Sequence, residues 1–359
     1  MKNRSALTRV IATGSIAVLA ALGIAGCSGS NAGSDPDAVG VTLIVKTTSN
    51  PYFVAMEDGA KDAAKKAGVD LTLAAGKEDG DEDTQIQAIE NAISKGDKGI
   101  LITPSGPAVI DAIQKARDAG LYVIALDTAP DPTDAVDITF ATDNFAAGKS
   151  IGEWTKAQLG GKKAVIALLD LFDDKVVSVD YNRDQGFLTG MGIDTVDPEK
   201  NGDEAKTGTY DGGDYEIVGS EATQGAEDGG RTAMETLLSK NPDINVVYTI
   251  NEPAAYGAYQ ALQAAGKEKD VLLVSIDGGC AGVKNVSEGI IGATAQQYPV
   301  KMAQLGVEAI EKLAKDGTKP STSAGLDFFD TGSALVTDKP VDGLDSISSA
   351  DGASVCWGK

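Results

Sequence analysis

Histidine is absent from the 359 residues of this chain. That removes Ser-His and Cys-His nucleophile pairs, the usual zinc sites and imidazole acid-base chemistry, so an enzyme built on it works with carboxylates or lysine alone. Positive charge is scarce. With 31 Lys and Arg against 53 Asp and Glu, the formal net charge is −22, which argues against nucleic acid or an anionic membrane surface as partner. Aromatic residues make up 5%. The apolar stretch from Val10 to Ala25 is too short and too rich in Ala and Gly for a membrane span. Neither a G-x-G-x-x-G after the first strand nor a G-x-x-x-x-G-K-[ST] occurs, which leaves no nucleotide-phosphate cradle.

The cysteines are Cys27, Cys280 and Cys356. Lys2, Arg4 and Arg9 precede the Val10 to Ala25 stretch, which closes as Leu22-Gly23-Ile24-Ala25-Gly26-Cys27. This resembles a bacterial lipobox and predicts a signal peptide over 1–26, a lipid on Cys27 and a flexible linker over 27–39. The expected location is the outer face of the cell membrane, or the periplasm, with the lipid as the only membrane attachment. An exported chain most simply pairs its two remaining thiols, Cys280 with Cys356, in preference to burying them separately. Such a loop contributes about 4 kcal/mol in the chain-entropy model.

From Val41 the chain alternates short β-rich runs with helical patterns. Strands are predicted at 41–45, 71–75, 99–103, 122–127 and 138–142, with helices at 52–67, 84–95 and 108–119 between them. After Asp143 the pattern restarts, interrupted by Asp194–Asp214, an Asp-, Gly- and Lys-rich stretch that reads as a surface excursion. Alternation with nearly continuous apolar strands implies parallel sheets covered on both faces, and about 320 residues are more than one core usually serves. The fold class is therefore α/β, in two doubly wound parallel-sheet lobes.

Open parallel sheets bind ligands beyond the carboxyl ends of their strands. Asn50, Tyr52, Phe53, Asp127, Asn251 and Asp277 fall at such ends, and with Arg183 and Gln296 they make a kit of carboxylates, amides, guanidinium and rings. That kit suits a sugar, whose hydroxyls donate and accept and whose C–H faces lie against rings. Taken singly, each reads better as a helix cap, a turn or a surface group, and it is their recurrence at strand ends that favours a site. In Ser49-Asn50-Pro51-Tyr52-Phe53 the turn allows both rings to overhang a cleft, one on each exposed edge, the alternative being one ring in the core.

Two further patterns carry other chemistry in principle. Gly278-Gly279-Cys280-Ala281-Gly282 has the form of a nucleophile elbow, but no His is present to activate Cys280. Asp79-Gly-Asp81-Glu-Asp83 with Glu90 has calcium-loop spacing, yet Thr84 stands where the sharp turn needs Gly, so a solvated acidic loop capping the next helix is expected.

The ordered set SNPYF (49–53), LITPS (101–105), IALD (124–127), ATDN (141–144), NRDQGF (182–187), INEPAAYGA (250–258), SIDG (275–278) and TAQQYP (294–299) resembles the ribose-type sugar-binding proteins of bacterial ABC importers. NRDQGF, INEPAA, IDGGCAGVKNV, QQYP and the terminal CWG look most like the fructose-binding branch. The resemblance implies a periplasmic-binding-protein type I fold with a three-crossing hinge. The first lobe would be 40–142 plus 297–328, the second 143–296 plus 329–345, and 346–359 a tail tied by Cys356. It implies ligand contacts from Asn50, Tyr52, Phe53, Asp127 and Thr128 on one lobe and Arg183, Asn251 and Asp277 on the other, with Gln296 at a crossing.

Two positions depart from the ribose pattern: Thr128 replaces an Arg, and no stacking aromatic stands near Gln224-Gly225. Both departures point to fructose over ribose. The implied function is delivery of an unaltered monosaccharide to an ABC permease by a monomer, with no cofactor and no catalysis. Rival readings are a sugar sensor or chemoreceptor, a receptor for ribose or mannose, and an exported carbohydrate enzyme using paired carboxylates such as Asp127 and Asp277. A repressor of the same architecture is disfavoured by the acidic charge and the export signal.

Overall fold

The computed structural model describes residues 39–358, so the expected signal segment, the Cys27 lipid site and nearly all of the linker lie outside the described residues. Val39, the last residue of that linker, already belongs to the fold, since its carbonyl accepts from Asp70 N at 2.9 Å.

The first unit runs β1 (Gly40–Val45), α1 (Pro51–Ala67), β2 (Asp70–Ala75), α2 (Glu82–Lys95), β3 (Gly99–Ile102), α3 (Ile110–Asp118), β4 (Tyr122–Leu126) and β5 (Ile138–Ala141). The second runs α4 (Asn144–Leu159), β6 (Ala164–Asp170), α5 (Ser178–Met191), β7 (Thr207–Tyr210), β8 (Gly213–Ala222), α6 (Glu227–Lys240), β9 (Val246–Thr249), α7 (Glu252–Ala264), β10 (Leu272–Asp277), α8 (Cys280–Ser287) and β11 (Ala293–Gln296). The chain ends in α9 (Pro299–Asp316), β12 (Phe329–Asp330), β13 (Ala334–Val336) and α10 (Ser349–Val355).

Two sheets result, ordered β2-β1-β3-β4-β5-β12 and β7-β8-β6-β9-β10-β11-β13. The first is parallel throughout, and the second is parallel except at β7 and β13, one at each edge. Central strands such as β3, β4 and β6 are buried along their whole length because helices cover both faces. α1 illustrates how sequence sets an element. Asn50 caps it, accepting from Tyr52 N at 2.9 Å, Pro51 occupies the first turn, Lys65 and Lys66 face the carboxyl end, and Gly68 at φ 70° ends it. On the second lobe α4 and α5 pack backbone to backbone: a Cβ on Gly152 would stand 2.1 Å from Phe187 O, so any larger residue must force the pair apart.

The chain passes between the sheets three times, at residues 142–143, 297–298 and 331–333. The third crossing falls a few residues later than expected from sequence. Phe329 stays with the first sheet, pairing with Phe140 in parallel register and holding its ring at 5.0 Å. The Asp194–Asp214 excursion is also not wholly irregular, since its end forms β7, an antiparallel edge on β8. Cys280 and Cys356 are joined in a disulfide, their Cα atoms 4.9 Å apart. No described helix is long and apolar enough to cross a membrane.

Candidate functional site

The carboxyl ends of both sheets face one small cavity of about 30 Å³. Lys46, Asn50, Tyr52, Phe53, Asp79 and Asp127 line it from the first lobe, and Leu171, Val179, Arg183, Ile250, Asn251 and Asp277 from the second. Apart from Arg183, which projects from within α5, each polar wall residue closes or follows a strand or opens a helix. Asp127 sits at φ 63° directly after β4, and Asp277 ends β10 at φ 145°; both are conformations that side chains rarely adopt.

Asp127 is held from two sides. Tyr52 Oη donates to Oδ1 at 3.0 Å and Thr128 Oγ1 to Oδ2 at 2.9 Å, while Arg183 Nη2 stands 3.6 Å from Oδ1 across the cleft. Arg183 is itself fixed, donating from Nε to Asn144 Oδ1 at 2.7 Å and from Nη1 to Ile250 O at 3.0 Å. Asn251 caps α7, accepting from Ala254 N at 3.0 Å and donating to Gly225 O at 3.0 Å. Asp277 accepts from Gln297 Nε2 at 3.0 Å and from Glu252 N at 3.3 Å.

Burial raises several of these acids. Asp277 is pushed up to about 7 by desolvation, with Arg183 opposing and Asp127 adding to the rise. Glu252, directly behind it, reaches about 8 through desolvation and the nearby Asp277 charge. Desolvation, then the Asp127 charge, lifts the Tyr52 phenol well above its ordinary value, so it is a hydrogen-bond donor at any physiological pH.

Of the residues expected from sequence, Asn50, Tyr52, Phe53, Asp127, Arg183, Asn251 and Asp277 are brought together. Thr128 and Gln296 are not part of the wall. Thr128 orients Asp127 from behind. Gln296 is fully buried and donates to Gly278 O at 2.8 Å and Gly352 O at 3.2 Å, which turns it toward the C-terminal segment; its neighbour Gln297 is the one that reaches Asp277. The rings also differ from expectation. Neither overhangs an exposed edge: Tyr52 and Phe53 are 2% and 4% exposed and meet edge-on at 5.3 Å, packed into the first-lobe core while lining the cavity.

A family model described as a periplasmic binding protein domain matches residues 40–319. The chain belongs to that family. It is 29% identical to the ribose import binding protein of Escherichia coli K12 over 77% of this chain and 84% of that one. It is likewise 29% identical to the galactofuranose-binding protein of the same organism, over 73% and 77%. Among solved structures, an ABC-transporter solute-binding protein of Actinobacillus succinogenes with bound D-allose superposes with a TM-score of 0.70 at 25% identity, covering 83% of this chain and 97% of that one. The relatives are binding proteins, and this periplasmic binding protein is not an enzyme.

Two polar wall residues of this binding protein, Lys46 and Asp79, are not assigned to the site from sequence. Lys46 is 1% exposed at the end of β1, with Asp79 as its ion-pair partner at 3.8 Å, and Asp79 Oδ1 makes no hydrogen bond. The acidic loop is therefore only partly solvated: Asp81 caps α2, accepting from Thr84 N at 3.1 Å, but Asp79 turns into the cleft. The signal was available, because a Lys closing an apolar strand and an Asp after the next strand are both at carboxyl ends.

The lobes also touch outside the cavity. Ser178 Oγ donates to Ala129 O at 2.7 Å, and Lys175 Nζ reaches Gly80 O at 3.3 Å and Glu82 Oε2 at 3.6 Å. These contacts bridge the two lobes, so parting the lobes would break them and they favour the arrangement seen here. A partly exposed ion pair of this kind contributes about 0.2–1 kcal/mol. Lys175→Met is thus expected to weaken ligand binding about two- to fivefold, mainly by faster release in stopped-flow; unchanged release would show that the pair does not hold the lobes.

Proposed function

We propose that the chain is the substrate-binding lipoprotein of an ABC sugar importer, gripping a neutral monosaccharide between its lobes and presenting it to the permease. The observation that carries this reading is the composition of the cavity wall. Three carboxylates, two cations, two amides and two rings, drawn from both lobes, converge on one space. Carboxylates Asp79, Asp127 and Asp277 accept from hydroxyls, Arg183, Lys46 and Asn251 donate to oxygens, and Tyr52 and Phe53 cover C–H faces. Once Asp277 is ionised the wall sets three acids against two bases, which disfavours sugar acids and sugar phosphates.

Fructose is the sugar we favour over ribose and mannose. The motifs shared with the fructose-binding branch support it, as does the wall itself: where ribose-type proteins place a ring near Gln224-Gly225, this chain has Gly225, with Asp79 opposite it. Asn251 Nδ2 and Asp79 Oδ2, both near that position, suit an additional hydroxyl in place of a ring. The cavity of about 30 Å³ holds little more than a water, so a sugar enters by parting the lobes at the three crossings and then shifts the population back to a closed form. An analogue lacking one hydroxyl leaves a buried group unpaired, which gives selectivity. Export, the lipid on Cys27, a monomeric state and recognition of the closed form by the permease complete the proposal.

Calorimetry across fructose, ribose, mannose, allose and galactose tests it. One-to-one binding tightest for fructose, with labelled sugar recovered unchanged, is the expected result. Tighter binding of another monosaccharide overturns the fructose assignment, and binding of none overturns the sugar reading.

A further inference from the structure

Cys356 and Trp357 are consecutive, yet they belong to the cores of different lobes. Cys356 packs with the second-lobe cluster around Val283, Val286 and Ile347 and is bonded to Cys280 at the start of α8. Trp357, 8% exposed, lies in the first-lobe core against Tyr52, their rings edge-on at 5.3 Å. The backbone of Trp357 stays with the second lobe, its carbonyl accepting from Cys280 N at 2.9 Å, while its indole Nε1 donates to Gln297 O at 3.0 Å, on the middle crossing. The far edge of the indole lies 3.2 Å from where a Cβ on Gly279 would stand, two residues beyond Asp277.

We propose that Trp357 is a positioning residue for the binding site, held at the hinge by the Cys280–Cys356 bond. The argument is steric and directional. Tyr52 must keep its phenol 3.0 Å from Asp127 Oδ1 for that carboxylate to present a fixed acceptor to the ligand. The Tyr52 ring is supported by Phe53 on one side and by Trp357 on another. Phe53 is the neighbouring residue on the same helix, whereas Trp357 is delivered by a segment anchored to the opposite lobe. The indole therefore joins the Tyr52–Asp127 half-site to the turn that follows Asp277, and it does so only while the tail is pinned. A tryptophan serving merely to cover the end of a chain would pack within the lobe that holds its backbone. Unpinned, the tail frees the indole, Tyr52 gains space behind it, and both half-sites lose registration.

This inference rests on the sugar reading above, so the experiment separates the two. Fructose affinity and release rate are measured for the wild type, Trp357→Ala, Trp357→Phe and the Cys280→Ser/Cys356→Ser double variant. Trp154→Phe serves as the control, a fully buried tryptophan of the second-lobe core bonded to Lys339 O and remote from the cavity. Expected results are a ten- to hundredfold loss of affinity for Trp357→Ala, carried mainly by faster release, about tenfold for the double variant, and no more than threefold for Trp357→Phe, which keeps a ring against Tyr52. Trp154→Phe binds as wild type even if it melts earlier. It also leaves Trp357 as the sole tryptophan, whose emission shifts on adding fructose. If Trp357→Ala does not fold, the double variant and the emission shift decide. Wild-type affinity in the double variant, or an emission spectrum that sugar leaves unmoved, overturns the positioning role alone. A wild-type protein that binds no sugar overturns the reading beneath it.

Discussion

Asp127→Asn is expected to bind fructose about a thousandfold more weakly than the wild type while keeping its fold. The carboxylate is 4% exposed and both oxygens already accept from neighbours, Tyr52 and Thr128, so its position is set before any ligand arrives. A hydrogen bond to a charged acceptor is worth about 1.5–3 kcal/mol, and a carboxylate on a sugar site accepts from one or two hydroxyls. The amide replaces one acceptor by a donor that now faces the Tyr52 or Thr128 hydroxyl, and it removes the charge 3.6 Å from Arg183, leaving that guanidinium buried without its acid. Asn rather than Ala is the informative choice, because Asn tolerates the left-handed backbone at φ 63° and spares the strand end from strain. Calorimetry gives the affinity and thermal melting the fold. Binding within threefold of wild type would remove Asp127 from the site and with it the first-lobe half of the mechanism.

The parallel sheets were legible because their strands are buried on both faces and so read as apolar runs between helical patterns, as in Val41 to Val45 and Tyr122 to Leu126. The wall residues were legible for the same reason, since a polar residue closing an apolar run falls at a carboxyl end. That rule finds Lys46 and Asp79 as readily as Asp127; Lys46 is not singled out from sequence, and Asp79 reads there as part of a solvated acidic loop. Gln296 failed for a different reason. All four residues of β11 are buried, so period-two alternation gives no direction, and although the register pairs Asp277 with Gln296, it is Gln297, one residue beyond the strand, that reaches the acid. Trp357 was beyond any local pattern. Its neighbours lie near residues 52, 279 and 297, and no periodicity of the last ten residues encodes a return to the first-lobe core.

Raising the pH from 5 to 8 is expected to destabilise the sugar-free protein and, over the same range, to tighten sugar binding. Asp277 and Glu252 titrate near 7 and 8 when folded, against about 3.9 and 4.3 in an unfolded chain. Between those limits the folded state holds protons that the unfolded state has released, so stability falls as pH rises. The loss begins above pH 4, is complete once both groups ionise, and is on the order of several kcal/mol. The groups facing Asp277 are Arg183, which opposes the shift, and Asp127, which adds to it; Glu252 faces Asp277, Thr294 and the N–H groups of Gly278 and Gly279. A sugar hydroxyl donating to Asp277 favours its ionised form, so binding lowers that pKa and expels a proton. Affinity therefore rises, by up to about tenfold for each unit of lowering, until Asp277 is ionised in the free protein as well. Titrations at pH 6.5 in phosphate and in imidazole, whose ionisation enthalpies differ, count the released protons directly. Equal apparent enthalpies in the two buffers, with flat affinity from pH 5.5 to 8.5, would mean that Asp277 meets the sugar already charged or not at all. Asp277→Asn distinguishes these cases, because it abolishes binding in the first and leaves it intact in the second.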